Sequence, residues 1–173
     1  MKGSRKAKAS HIEYALRDTN SAKIGEDPRF YESLKEQLES IIEADRKRRK
    51  DEATLLKDLV KISKQEGRRE AIAKEKRLTL DEYAFYGLLE PYEDRLFEGS
   101  DEKRCLLSKE IVAAIKNKAV IDWVDKEDVQ KEIRRYVKDC LRKVGFPPDD
   151  IELFTREVLE LARERSRSNN GIY

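Results

Sequence analysis

Residues 125–148 read DKEDVQKEIRRYVKDCLRKVGFPP. Apolar residues recur here every three or four positions, which is the spacing of one face of an α-helix. Charged residues fill the positions between them, so the predicted helix has one buried and one exposed face. Asp125 is placed to cap its start, and Gly145 is placed to end it in a left-handed conformation before two prolines. The apolar face consists of Val129, Ile133, Val137, Cys140, Leu141 and Val144.

Helix-start signals recur along the rest of the chain. Asp27-Pro28 combines a capping residue with a proline at the first helical position. Two capping boxes follow the Ser/Thr-x-x-Glu pattern, one at residues 10–13 and one at residues 79–82. No pair of segments alternates convincingly as two strands would. We therefore expect an all-α fold, a single irregular bundle of about seven helices.

The ends of the chain differ from its middle. Residues 1–9 carry four cations and no acid, which predicts a basic flexible linker. Residues 10–166 hold the apolar stripes and are predicted to form the helical domain. Residues 167–173 begin with the polar run RSNN and are predicted to be a frayed tail.

The composition excludes several classes of protein. Charged residues make up 43%, but 38 Lys+Arg nearly balance 36 Asp+Glu, for a net charge of +2. That balance is typical of exposed helix faces rather than of a disordered tail. The longest unbroken apolar run, residues 111–115, is far too short to cross a membrane. The two isolated cysteines suggest a reducing compartment, so we expect a cytoplasmic protein.

Motifs that carry catalysis are missing. The chain has one histidine, His11, no Cys-x-x-Cys pair, no glycine-rich phosphate loop and no serine nucleophile elbow. The Glu-x-Lys tripeptide of many metal-dependent nucleases is also absent, and Asp101-Glu102-Lys103 is better explained as a helix start. We therefore predict a non-catalytic domain with no metal or cofactor site of its own.

Four segments carry a family resemblance when taken together. They are KASHIEYALR at 8–17, EDPRFYESL at 26–34, LDEYAFYGLL at 80–89, and Ile121-Asp122-Trp123 followed by Arg134-Arg135 through Gly145-Phe146-Pro147-Pro148. In this order the segments resemble the C-terminal domain of the R (motor) subunit of type I restriction enzymes. The resemblance covers roughly residues 5–165, and each segment alone would be weak.

The resemblance implies a role in assembly. The family's R subunit is an ATP-dependent DNA translocase and endonuclease, and its nuclease centre and motor domains, which would use ATP and Mg, lie upstream of this domain. The C-terminal domain is implied to dock the motor onto the methyltransferase core of M and S subunits. The implied partners are thus the M and S subunits, with possible non-specific DNA contact and no membrane.

Three aromatic residues are candidates for docking. Trp123 follows a short segment that breaks the helical period, and tryptophan is favoured at interface hot spots. Tyr83 and Tyr86 belong to a helix that is apolar almost all round and must be covered on more than one side. For each of them the alternative is an ordinary core position.

Two groups of cations are candidates for contact with phosphate or an acidic partner. The alternative for both is a solvated helix surface, and the second group is diluted by interleaved acids. If they bind phosphate, the chain would be a helical nucleic-acid-binding module, although such modules are usually more basic. An enzyme in its own right is a third hypothesis without support in the motifs. The two groups are Arg46, Lys47, Arg48, Arg49 and Lys50, and Arg134, Arg135, Lys138, Arg142 and Lys143.

Overall fold

The computed structural model describes residues 5–47 and 51–167. These residues form eight α-helices, two short 3-10 helices and no strand, which confirms the predicted all-α class. There is one helix more than the seven expected, because residues 93–96 form a short helix. Four residues are too few to show a helical period in the sequence. None of the described helices is both long enough and apolar enough to span a membrane. The helices are α1 (Arg5–Lys23), α2 (Pro28–Arg46), α3 (Glu52–Glu75), α4 (Leu80–Leu88), α5 (Glu93–Leu96), α6 (Asp101–Lys118), α7 (Glu127–Lys143) and α8 (Pro148–Arg167).

The chain divides into two compact units. The first unit comprises residues 1–72 and the second residues 73–173, so the boundary falls inside α3. The apolar stripe fades at residues 64–69, where the sequence alone does not distinguish helix from loop. The structure continues α3 through this segment. Each unit has its own hydrophobic core.

The core of the first unit is built from the apolar stripes of α1, α2 and α3. Asp27 caps α2 as predicted, because its Oδ1 accepts a hydrogen bond from the Phe30 amide at 3.3 Å. Pro28 occupies the first helical position. With this start, the apolar stripe of α2 faces the core of the first unit. The buried apolar residues are Ala9, Leu16, Tyr31, Leu34, Leu38, Ile42, Leu59 and Ile62.

The start of α1 differs from the sequence prediction. α1 begins at Arg5, so residues 5–9 are helical rather than a linker, and Ser10 lies inside the helix rather than capping it. The physical reason is Ala9, which is 4% exposed and joins the core in helical register with Ile12 and Leu16. Residues 1–4 of the predicted linker lie outside the described part of the chain.

The core of the second unit lies among α4, α6, α7 and α8. The predicted capping box opens α4: the Glu82 amide donates to Thr79 Oγ1 at 3.2 Å, and the Thr79 amide donates to Glu82 Oε2 at 2.8 Å. The largest core side chains that are almost fully buried include Phe85, Leu89, Phe97, Leu107, Ile111, Trp123 and Phe154.

The predicted start of α7 is wrong, and its predicted end is confirmed. The start is corrected: Asp125 ends a 3-10 turn, and α7 begins at Glu127 behind Lys126, which makes no side-chain cap. The end is confirmed, because Gly145 has φ 75° and the Phe146 amide donates to the Leu141 carbonyl at 3.0 Å. At the end of the chain α8 reaches Arg167, and residues 168–173 of the predicted tail lie outside the described residues.

Candidate partner and nucleic-acid interfaces

Tyr86 takes part in a compact polar and aromatic cluster in the second unit. Its ring is 8% exposed and stacks with that of Tyr83, with centroids 5.8 Å apart. The Arg104 guanidinium lies over the Tyr86 ring, with its central carbon 3.8 Å from the ring centroid. Leu78 and Cys105 complete the apolar contacts. Tyr86 is therefore held by its own unit, whereas Tyr83 is only half-buried.

Arg104 ties the end of α4 to α6. Its Nε donates to the Tyr86 carbonyl oxygen at 3.0 Å, and one terminal nitrogen lies 3.0 Å from a Glu93 carboxylate oxygen. The Arg104 side chain is 6% exposed, so these contacts satisfy a buried cation. The contacts of Arg104 therefore help to hold the stacked Tyr83 and Tyr86 rings in place.

Asp101 completes the cluster and should make stability depend on pH. Hydrogen bonds from Lys76 Nζ, at 2.6 Å, and from the Tyr86 hydroxyl lower the pKa of Asp101 below its usual 3.8. A carboxyl whose native pKa is depressed stabilises the fold above its unfolded pKa, and this contribution is lost as the pH falls through the native pKa.

We expect Asp101→Asn to lower the free energy of unfolding at neutral pH by up to about 1 kcal/mol, since the carboxylate is half exposed. The difference from the wild type should shrink as the pH falls below 3.8 and through the lowered native pKa of Asp101. Urea titrations across this pH range measure it. A difference that stays constant with pH would show that the ionised carboxylate is not its cause.

Trp123 lies in the core of the second unit. Its side chain is 0% exposed, and its indole N–H donates to Ser166 Oγ at 3.3 Å. This is the core location that the sequence offered as the alternative to a docking role. Ser166 is near the end of α8. This hydrogen bond therefore links α8 to the segment that connects α6 and α7.

Immediately before Trp123 the chain exposes two apolar side chains. Val120 is 48% exposed and Ile121 is 83% exposed, and together with Asp122 we call them the α6–α7 tip. The turn is fixed: the Trp123 amide donates to the Val120 carbonyl at 3.0 Å, and Lys126 Nζ donates to the Ile121 carbonyl at 2.8 Å. Sequence reasoning placed the anchor at Trp123 and missed its neighbours. The signal available was two β-branched residues where the helical period breaks.

The first group of cations predicted to contact phosphate, residues 46–50, is only partly described. Arg46 and Lys47 are exposed at the end of α2, and Lys47 Nζ pairs with Glu43 at 2.5 Å. Arg48, Arg49 and Lys50 lie outside the described residues. A cation that is already paired on its own helix contributes less to binding an external anion.

The second predicted group lies along α7 and is partly neutralised. Lys138 pairs with Glu152 of α8, and Arg142 pairs with Asp139 at 2.8 Å. Arg135 lies 5.7 Å from the Tyr136 ring centroid. Arg134 borders a cavity of about 220 Å³ between α7 and α8, and Lys143 is exposed near the end of α7. These side chains do not form one continuous cationic surface.

A third set of cations, which sequence reasoning did not single out, lines α3. Lys57, Lys61, Lys64 and Arg68 follow one another at intervals of four, three and four residues. That spacing places them on one face of a helix. The interval pattern is the signal in the sequence, and it lies on the helix face opposite the apolar stripe.

The described residues offer little that would hold a metal or react as a nucleophile. No group of three His, Cys, Asp or Glu side chains within 5–47 and 51–167 is arranged to bind a metal ion. Burial raises the pKa of both thiols, Cys105 and Cys140. A raised pKa reduces the fraction of reactive thiolate at neutral pH.

Comparison with known proteins agrees with the sequence resemblance. The family model described as "Type I restriction enzyme HindI endonuclease subunit-like, C-terminal" matches residues 3–168. The type I restriction enzyme HindI endonuclease subunit of Haemophilus influenzae is 33% identical over 118 residues, which are 68% of this chain and 11% of that protein. The putative type I restriction enzyme MjaIXP endonuclease subunit of Methanocaldococcus jannaschii is 30% identical over 133 residues, which are 76% of this chain and 13% of that protein.

These matches cover most of this chain but a small part of each relative. No solved structure matches the chain significantly. The family model covers both units described above, from α1 to the end of α8. The chain belongs to the family of C-terminal regions of HindI-like endonuclease subunits of type I restriction enzymes.

Proposed function

We propose that this chain is a docking domain, which holds the R subunit of a type I restriction enzyme on its methyltransferase core of M and S subunits. The R subunit in this proposal is the ATP-dependent DNA translocase and endonuclease, and the role of this chain is to bind rather than to catalyse. Membership of the family supports the assignment to such a complex. The contact surface is argued from the geometry of the second unit.

The observation that carries the proposal is the α6–α7 tip. Ile121 is 83% exposed, yet the backbone on both sides of it is held by hydrogen bonds. An apolar side chain on a rigid turn loses little conformational entropy when a partner covers it. The buried indole of Trp123 anchors this turn, so the tryptophan positions the contact rather than making it.

The surroundings of the tip resemble a protein interface. Asp122, Asp125 and Lys126 are exposed around the two apolar side chains. An apolar centre within a charged rim is the usual anatomy of a specific interface, where the rim favours one partner over others. The half-buried Tyr83 remains a second, separate candidate for docking.

The test is binding of this chain to purified methyltransferase core without DNA, near physiological salt. We expect a complex, and we expect the double variant Val120→Asp/Ile121→Asp to raise its Kd at least about tenfold, because two carboxylates would be desolvated in an apolar contact. Leu106→Asp/Leu153→Asp is the matched control, since it adds the same two carboxylates at exposed apolar positions, 55% and 48% exposed. The control should bind like the wild type.

Two results would contradict the proposal in different ways. If the wild-type chain forms no complex with the core, the docking function is wrong. If it binds but the tip variant binds equally well, docking occurs through another surface. Far-UV circular dichroism of each variant checks that the exposed substitutions leave the helices intact.

A further inference from the structure

The face of α3 in the first unit carries a straight row of cations. The row consists of Lys57, Lys61, Lys64 and Arg68, all of them exposed. At 3.6 residues per turn, the four side chains fall within about 60° of the helix circumference. At 1.5 Å per residue, they extend over about 16 Å of the helix axis. We call these four residues the α3 row.

The α3 row lines an open groove of about 820 Å³ in the first unit. Among the described lining residues, Arg5 of α1 is a fifth cation and Asp58 is the one acid. The ion pairs of this unit, within the described residues, join other side chains, and none includes a member of the row. Asp51 interacts electrostatically with Arg5, so the positive charge without an ion pair among the described residues is that of the α3 row itself.

A surface of this kind attracts a polyanion. Lysine is depleted from the buried centres of protein interfaces, because its ammonium group is costly to desolvate. A phosphate backbone, in contrast, pairs with lysine while both groups remain partly hydrated. A 16 Å length of duplex DNA presents about five phosphates on each strand. The row thus spans a length of duplex that presents at least as many phosphates as the row has cations.

The lining of the groove also indicates which nucleic acid fits. None of the described residues that line it is aromatic, whereas proteins that bind single strands usually stack bases on aromatic rings. Leu56 and Val60 are half-buried beside the row and offer no hydrogen-bonding groups for base edges. The chemistry of the groove is suited to the backbone of a duplex without reading its sequence.

We propose that the α3 row binds the phosphate backbone of duplex DNA in a sequence-independent manner. The preference for DNA over RNA rests on the proposed function, since a restriction complex acts on DNA; the phosphate contact itself does not. This surface is separate from the α6–α7 tip, and it lies outside both cation groups selected from the sequence. It would hold the duplex while the tip holds the protein partner.

The experiment measures the affinity of the full chain for a fluorescent duplex of mixed sequence by anisotropy, as a function of salt. If the row neutralises four phosphates, its contribution to the slope of log K against log salt is about −3.6. That contribution corresponds to a loss of about 150-fold between 50 and 200 mM salt. The variant Lys57→Gln/Lys61→Gln/Lys64→Gln/Arg68→Gln should lose this part of the slope and most of the affinity.

A matched control separates the row from net charge. The variant Arg17→Gln/Lys35→Gln/Lys103→Gln/Lys131→Gln removes four other exposed cations. Both variants remove four positive charges, so the net charge falls from +2 to −2 in each. The control should keep most of the wild-type salt slope. Lys61→Gln alone should reduce the slope by about 0.9.

Several outcomes would overturn the proposal. No binding to duplex by the wild-type chain, or equal losses in both quadruple variants, would remove the row as a DNA site. Tighter binding to an acidic peptide than to duplex, with the same dependence on the row, would make the occupant a protein. Equal or tighter binding to duplex RNA would overturn the choice of DNA.

The failure of this proposal can be told apart from failure of the docking function. The row variant should bind the methyltransferase core like the wild type, because it leaves Val120 and Ile121 unchanged. If DNA binding fails while core binding holds, only the α3 proposal is wrong. If core binding fails while DNA binding holds, only the docking proposal is wrong.

Discussion

Trp123→Ala is expected to lower the free energy of unfolding by about 3–5 kcal/mol, since it empties a fully buried site. The indole is 0% exposed and packs within the large core of the second unit. Its loss also removes the hydrogen bond to Ser166 Oγ. Urea denaturation followed by far-UV circular dichroism is the measurement, because Trp123 is the chain's single tryptophan and the variant has no indole fluorescence.

Two further substitutions make this test specific. Ile121→Ala, two residues away and 83% exposed, should change stability by no more than about 0.5 kcal/mol. Ser166→Ala removes the hydroxyl but keeps the packing, and it should cost about 1 kcal/mol. A loss below about 1 kcal/mol for Trp123→Ala would mean that the ring contributes little packing, and that the tip is anchored in another way.

Asp27→Ala is expected to cost about 3–5 kcal/mol in the first unit, because it leaves a buried cation without its partner. Arg69 Nε lies 3.1 Å from Asp27 Oδ2, and the two side chains are 6% and 2% exposed. The Arg69 guanidinium also lies between 5.8 and 5.9 Å from the ring centroids of Tyr31 and Phe30. Asp27 additionally caps α2, a contact of about 1 kcal/mol.

A double-mutant cycle separates the two roles of Asp27. Asp27→Asn keeps an oxygen that can accept the hydrogen bond from the Phe30 amide, but it removes the charge. Arg69→Met removes the cation and fills similar space with an apolar chain. We expect the double variant to be more stable than the sum of the single losses predicts, because neither charge is then left buried alone. Additive losses would show that Asp27 and Arg69 are not energetically coupled.

Signals that act over three or four residues were readable in the sequence. The cap at Asp27-Pro28, the capping box at Thr79 and the left-handed Gly145 were all predicted and are all present. Each consists of hydrogen bonds or a backbone preference within one helical turn. The capping-box pattern at Ser10 failed because burial of Ala9 extended the helix beyond it.

The candidate surfaces could be predicted less well from local sequence patterns. The sequence indicated that the segment around Trp123 is unusual, but it did not decide whether the ring or its neighbours face the solvent. The dense runs of cations were predicted to contact phosphate. In the structure, however, Lys47, Lys138 and Arg142 have acidic partners. The regularly spaced cations of α3 were less conspicuous and remain unpaired within the described residues.

The amino-acid sequence determined the all-α class, the starts of α2, α4 and α6, and the family, because periodicity, caps and residue identities are local properties of the chain. Tertiary structure decided the division into two units, the burial of Trp123 and the pairing of Asp27 with Arg69, which lie 42 residues apart. Burial and ion pairing depend on which distant residues come together. No local pattern carries that information. The spacing of the α3 row and the break in period before Trp123 can be seen in the sequence, but the exposure of these side chains and the ion pairs around them are decided only when the helices pack.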